Sequence, residues 1–131
     1  MRTIRLASVL GVALVLGAAT AHAQGGQDFS KVEIKTTKIT DKFYTLEGQG
    51  GTIGVLVGPD GVFMIDTQFA PLSQKIAAAV KQITPQPIRF VVNTHLHGDH
   101  TGGDENFGRM GATIISREEL RFRLANPNPQ A

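Results

Sequence analysis

Thr94-His95-Leu96-His97-Gly98-Asp99-His100-Thr101-Gly102-Gly103 decides how the rest of this chain is read. Three of the four histidines fall within six positions, with an aspartate among them. The run before it, Ile88–Thr94, is short, apolar and β-branched without a helical period, and it predicts a buried strand. Alternate side chains of an extended segment share a face, so His95 and His97 are expected to point the same way. Gly98 carries no Cβ, and a bend there would bring Asp99 and His100 round to a neighbouring position. Two adjacent metal ions would need such an arrangement.

The residue types suit that chemistry. Neutral imidazole and carboxylate are common zinc ligands, and imidazole also suits iron. A catalytic metal needs a few protein ligands and an open position for water, whose pKa it lowers from about 16 toward 7. Two metals about 3.5–4 Å apart can hold hydroxide and polarise the substrate together. A histidine-rich surface tract can also bind metal adventitiously. Such a tract does not normally follow a buried strand and end in Thr101-Gly102-Gly103.

The stretch resembles the HxHxDH motif of the metallo-β-lactamase-fold hydrolase superfamily, with all four motif positions filled. The resemblance runs over most of the chain after residue 40. It implies that His95 and His97 bind a first metal and that Asp99 and His100 bind a second. It implies two zinc ions in a complete site, with iron as a possible substitute. It also implies that Asp66, at the end of Val62–Ile65, lies beside the metal loop and helps to fix it. From the residues alone, Asp66 is equally a plain turn aspartate.

Composition narrows the partners. The 131 residues suit a single domain, and the formal charge is +2. Arg2 and Arg5 lie in a leader; without them eleven basic residues face eleven acidic ones, and the net charge is zero. No basic patch carries interleaved aromatics, so a small-molecule substrate is expected and nucleic acid is not. The absence of cysteine excludes disulfides and thiolate ligands. Met1–Arg5 is basic, Leu6–Ala21 is small and apolar, and Ala21-His22-Ala23 is a small-x-small site. That is the layout of a secretory signal peptide over residues 1–23, with a mature start at Gln24, periplasmic or secreted location and no lasting membrane anchor. His22 is then a cleavage-site residue.

In chain order, Gln24–Ser30 is polar and glycine-rich. Val32, Ile34 and Thr36 alternate with polar residues and predict an edge strand. Strands are expected at Lys42–Glu47, Thr52–Val57 and Val62–Ile65, broken by Gly48-Gln49-Gly50-Gly51 and by the turn Gly58-Pro59-Asp60-Gly61. Pro71–Ile83 is a helix: Leu72, Ile76, Ala79, Val80 and Ile83 form one apolar face, and Thr84-Pro85 stops it. Strand, helix and strand make a βαβ unit, expected to be parallel and right-handed. The histidine cluster then lies past the carboxyl end of a strand, where ligand sites of α/β sheets sit. Asp104–Met110 reads as a short helical turn with Asp104 and Glu105 as solvated charges. Ala112–Ile115 reads as a strand, and Ser116–Glu119 as a capping box opening a helix over Arg117–Leu124.

The fold class expected is thus α/β (α+β), and the resemblance makes residues 24–131 the N-terminal half of an αββα sandwich, truncated at the C-terminus. In such a half the family's third histidine on the first metal, its bridging aspartate and its last histidine lie beyond this chain. The function implied is zinc-dependent hydrolysis, with metal-bound hydroxide attacking an ester, amide, lactam or thioester carbonyl and Asp99 orienting the nucleophile. Two alternatives stand beside it: a non-catalytic, exported metal-binding fragment, and an iron-dependent dioxygenase of the same fold. Diiron flavoproteins of this fold usually carry glutamate where His97 stands, which favours hydrolysis over that redox class.

Overall fold

The computed structural model describes residues 27–126. The signal-peptide assignment, residues 24–26 of the glycine-rich start and the tail 127–131 lie outside them. The described residues form one six-stranded sheet in sequential order: β1 (Lys35–Lys38), β2 (Phe43–Glu47), β3 (Ile53–Gly58), β4 (Gly61–Ile65), β5 (Ile88–Val92) and β6 (Thr113–Ile115). The first four strands pair antiparallel, whereas β5 lies parallel to β4 and β6 parallel to β5. Each parallel step follows a helical crossover. Helix α1 (Ser73–Ile83) bridges β4 to β5, and α2 (Gly98–Thr101) with α3 (Asp104–Arg109) bridges β5 to β6. Helix α4 (Glu118–Ala125) follows β6. No helix among the described residues is long and apolar enough to cross a membrane.

One face of the sheet carries the core. Leu46, Ile53, Val55, Val62, Met64 and Val91 are buried against Leu72, Ile76, Ala79 and Val80 from the α1 region and Phe107 from α3. These are the α1 stripe residues expected from their spacing. Phe107 is fully buried, which contributes roughly 1.5–3 kcal/mol. The opposite face is also apolar. Leu56 pairs with Phe63, Phe63 with Phe90, and Val92 with Ile115, so these side chains stand in rows. Leu56 (44%), Phe90 (37%) and Ile115 (40%) remain exposed there.

Three local expectations change. The first strand begins at Lys35, later than the alternation from Val32 suggested. Lys75 Nζ donates to the carbonyls of Phe29, Ser30 and Val32, taking acceptors a ladder would need, while Val32 and Ile34 pack on the core. The helix expected from Pro71 opens as a 3-10 turn, Ala70–Leu72, before α1. At α4 no side chain caps the first turn; Arg117 is the N-cap and Ser116 lies one residue outside it.

Candidate metal centre

The site lies at the carboxyl edge of the sheet, where β4 and β5 end side by side. Past Ile65 the chain makes a buried polar turn, Asp66-Thr67-Gln68. Asp66 (φ 64°) and Gln68 (φ 53°) both occupy the left-handed region, which non-glycine residues adopt only where the surroundings hold them. Those surroundings are hydrogen bonds. Asp66 N donates to Val92 O at 2.9 Å, and Thr67 N to His100 O at 2.7 Å. Gly103 N donates to Gln68 O at 3.0 Å and to Thr67 Oγ1 at 3.1 Å. Gly102 lies so close to Gln68 O that a Cβ there would stand 2.9 Å from it. The Thr101-Gly102-Gly103 end of the motif thus lets α2 seat on the turn.

The histidine stretch leaves β5 at Asn93. His97 is extended, and the chain turns helical at Gly98. The bend expected at Gly98 is present, but a Cβ there would meet nothing nearer than Phe69 Cε1 at 4.0 Å. Glycine is required instead in the loop before β3. Gly50 sits at φ 92°, and a side chain at Gly51 would overlap the His100 imidazole. That loop reaches over to Asp99 and His100.

Four candidate ligands meet in two pairs. His95 Nε2 stands 3.1 Å from His97 Nδ1, and His100 Nε2 stands 3.5 Å from Asp99 Oδ2. The His95 and His100 rings are 3.9 Å apart between centroids, so the pairs adjoin. Asp66 Oδ1 accepts from Thr94 N at 2.8 Å, and Oδ2 accepts from Thr94 Oγ1 at 2.7 Å and lies 2.8 Å from His100 Nδ1. This network assigns the tautomers. His100 carries its proton on Nδ1, facing Asp66, and keeps its lone pair on Nε2. Thr94 gives its one hydroxyl proton to Asp66, so it accepts from His95 Nδ1 at 3.0 Å, and the His95 lone pair is also on Nε2. Asp66 thus meets Thr94 twice and the His100 ring once, contacts that a carboxylate orienting a ligand histidine would make.

The donor set suits zinc in type and pairwise geometry. Zinc–nitrogen distances of 2.0–2.1 Å put neighbouring tetrahedral ligands about 3.3 Å apart, near the His95–His97 spacing. It does not suit zinc in number. No group of three or more His, Asp or Glu side chains among the described residues is arranged to hold an ion. A zinc site has three or four protein ligands, and each pair supplies two.

Several residues of this site went unread in the sequence. Thr94 bridges Asp66 and His95, and Gln68 ties down the glycine loop. Thr67 Oγ1 and Asn93 Nδ2 both donate to Asp104 Oδ1, each at 2.9 Å. Asp104, read as a solvated charge, instead joins the ends of β4, β5 and the start of α3. The available cue was three polar residues directly after an apolar strand. Burial pushes the Asp104 carboxyl above its ordinary pKa; hydrogen bonds from Asn93 and Thr67 oppose this, and the Asp66 charge adds to it. A carboxyl raised in the folded state binds its proton more readily folded than unfolded. It therefore favours the fold at low pH and loses that contribution as pH rises from the unfolded value through the folded one. Asp104→Asn keeps an acceptor oxygen without the charge. Unfolding in urea should show the variant gaining on wild type between pH 4 and pH 7; a difference independent of pH would contradict this.

Comparison with known proteins agrees with this fold. The family model of the metallo-beta-lactamase superfamily matches residues 46–118, more than half the chain. A linear primary-alkylsulfatase of Pseudomonas sp. (strain ATCC 19151) is 33% identical over 68 residues, covering 51% of this chain and 12% of that protein. Among solved structures, the subclass B3 metallo-beta-lactamase MEM-A1 from a soil metagenome superposes with a TM-score of 0.66 at 21% identity, over 74% of this chain and 38% of that one. The HARLDQ-motif metallo-beta-lactamase of Cronobacter sakazakii gives 0.65 at 17% identity, over 71% and 35%. FIM-1 of Pseudomonas aeruginosa, in its mono-zinc form, gives 0.65 at 20%, over 72% and 46%. The chain thus spans about an eighth of the alkylsulfatase and less than half of each of these structures.

Proposed function

This chain belongs to the metallo-beta-lactamase superfamily, and from that premise we propose that it supplies the His95, His97, Asp99 and His100 side of a zinc-dependent hydrolase site. The observation that carries the reading is the convergence of these donors in two adjoining pairs, with His100 Nε2 left free by Asp66. His95 and His97 would hold one ion, and Asp99 and His100 a second. When bound, zinc supplies a Lewis acid and makes water a nucleophile at neutral pH. The chain's own residues do the rest. Asp66 holds the His100 proton on Nδ1, and Thr94 holds that of His95. Asp99, on the edge of the pair, accepts a hydrogen bond from the attacking water and orients it toward the carbonyl carbon. Each pair supplies two of the three or four protein donors that a zinc ion takes.

The substrate is a small molecule with an ester, amide, lactam or thioester carbonyl. A second reading, sulfate-ester hydrolysis, is favoured by the identity shared with the alkylsulfatase. The test combines zinc content with turnover of a chromogenic lactam, a lactone, a thioester and an alkyl sulfate. It compares this chain with a form extended through any reading frame downstream. Weak zinc binding and negligible turnover are expected of the chain, and two zinc ions with turnover of the extended form. Robust turnover by the chain alone would overturn the ligand count, and an extended form that takes up no zinc would overturn the hydrolase reading. We also propose export through the 1–23 leader. N-terminal sequencing of the product should then begin at Gln24, and an intact Met1 terminus in the membrane fraction would contradict it.

A further inference from the structure

Gln68 is fully buried, and its side chain faces the glycine loop rather than the core. Its Oε1 accepts from Gln49 N at 3.3 Å, and its Nε2 donates to Gly51 O. The loop so held lies directly on the candidate ligands. A Cβ on Gly51 would overlap the His100 ring, and one on Gly50 would crowd Asp99 Cβ and the Phe69 ring. Two glycines therefore let the backbone close on two ligands, and one amide holds it there. Gln68 keeps a left-handed backbone (φ 53°), which aims its side chain at the loop.

We propose that Gln68 is a positioning residue. Its amide clamps the Gly48–Gly51 loop onto Asp99 and His100, so that the loop backbone, together with Asp66 and the His95 ring, confines the His100 imidazole. The proposal rests on the metal-site reading for its consequence, but the clamp itself can be measured without metal. Gln68→Asn separates backbone from side chain. Asparagine tolerates the left-handed region, and its amide is one methylene too short to reach both loop partners.

The experiment measures amide hydrogen exchange of the whole chain, with Val55, Met64 and Val91 as references, and zinc release to a chelator with zinc alone as the probe. In Gln68→Asn the Gln49 amide should exchange about 10-fold faster or more, with the strand amides unchanged. Zinc release should accelerate by about 10-fold or more, the scale of lost support to metal ligands. Unchanged Gln49 exchange would overturn the clamp, as would equal acceleration at the strand amides, since that marks a general loss of packing. If Gln68→Asn does not fold, Gln68→Glu decides. It keeps the acceptor for Gln49 N and turns an oxygen toward Gly51 O, so release of the loop supports the clamp. Failure of both variants to fold would assign Gln68 to the core and overturn the proposal. Where zinc uptake by the wild-type chain is too weak to read, the exchange result alone decides the clamp; an extended form that takes up no zinc would sink the metal reading and leave the exchange result standing.

Discussion

Alanine at His97 is expected to lower hydrolysis by about 10³-fold or more in the zinc-complete protein, and alanine at Asp99 to do the same by a different route. His97 supplies one of two nitrogens that converge at 3.1 Å. Removing it leaves a single donor in that pair, and one imidazole does not hold zinc against water. Asp99 stands 3.5 Å from His100 Nε2 with a third of its side chain open to solvent. In the proposed site it would both ligate and meet an incoming water. Losing either removes several kcal/mol of metal-derived stabilisation, and each 1.36 kcal/mol is tenfold in rate. The two variants separate in metal content. His97→Ala should lose zinc from its own pair and keep it at the other, and Asp99→Ala the reverse. Elemental analysis beside steady-state turnover reads both. Full activity in Asp99→Ala would remove that carboxylate from the mechanism, and a full zinc complement in His97→Ala would break the pairing.

The second large effect is expected at Asp66. Its carboxylate is 3% exposed and meets three donors: Thr94 N, Thr94 Oγ1 and His100 Nδ1. Asp66→Ala leaves these donors facing a void, at about 1–3 kcal/mol for each that water cannot reach. It also puts alanine at φ 64°, where aspartate and asparagine are better tolerated. A loss of roughly 3–5 kcal/mol is a large share of the 5–15 kcal/mol typical of a domain. Asp66→Asn keeps the shape and the backbone but turns an amide toward groups that are themselves donors. It should fold, while zinc affinity falls about 10–100-fold because His100 is no longer held in one tautomer and orientation. Urea unfolding and zinc competition measured on both variants test this. Zinc affinity unchanged in Asp66→Asn would show that the hydrogen bond between His100 Nδ1 and Asp66 does not orient the ring.

The uncovered apolar face has a bearing on every solution experiment. Leu56, Phe63, Phe90 and Ile115 form rows with no cover among the described residues. Contiguous exposed apolar surface marks an interface or a site of self-association. Oligomeric state should therefore be measured alongside stability, so that association is not read as unfolding.

By itself the sequence determined the elements with a strong local period. The α1 face is legible because its apolar residues recur at helical spacing, and β3 and β4 because turn residues bracket their apolar runs. The four candidate ligands are legible because they are adjacent in the chain. Tertiary structure decided everything that depends on distant pairs. Asp66 meets Thr94 and His100 across 28 and 34 residues, Thr67 meets Asp104 across 37, and Gln68 meets Gly51 across 17. No periodicity encodes such contacts. They form because β4 and β5 lie parallel and end at the same edge, so the polar residues that follow each strand are buried together and must satisfy one another. The same geometry moved Asp104 from an expected solvated charge to a shared acceptor. Ser116, expected in a capping box, lies one residue outside the N-cap of α4, where no side chain caps the first turn.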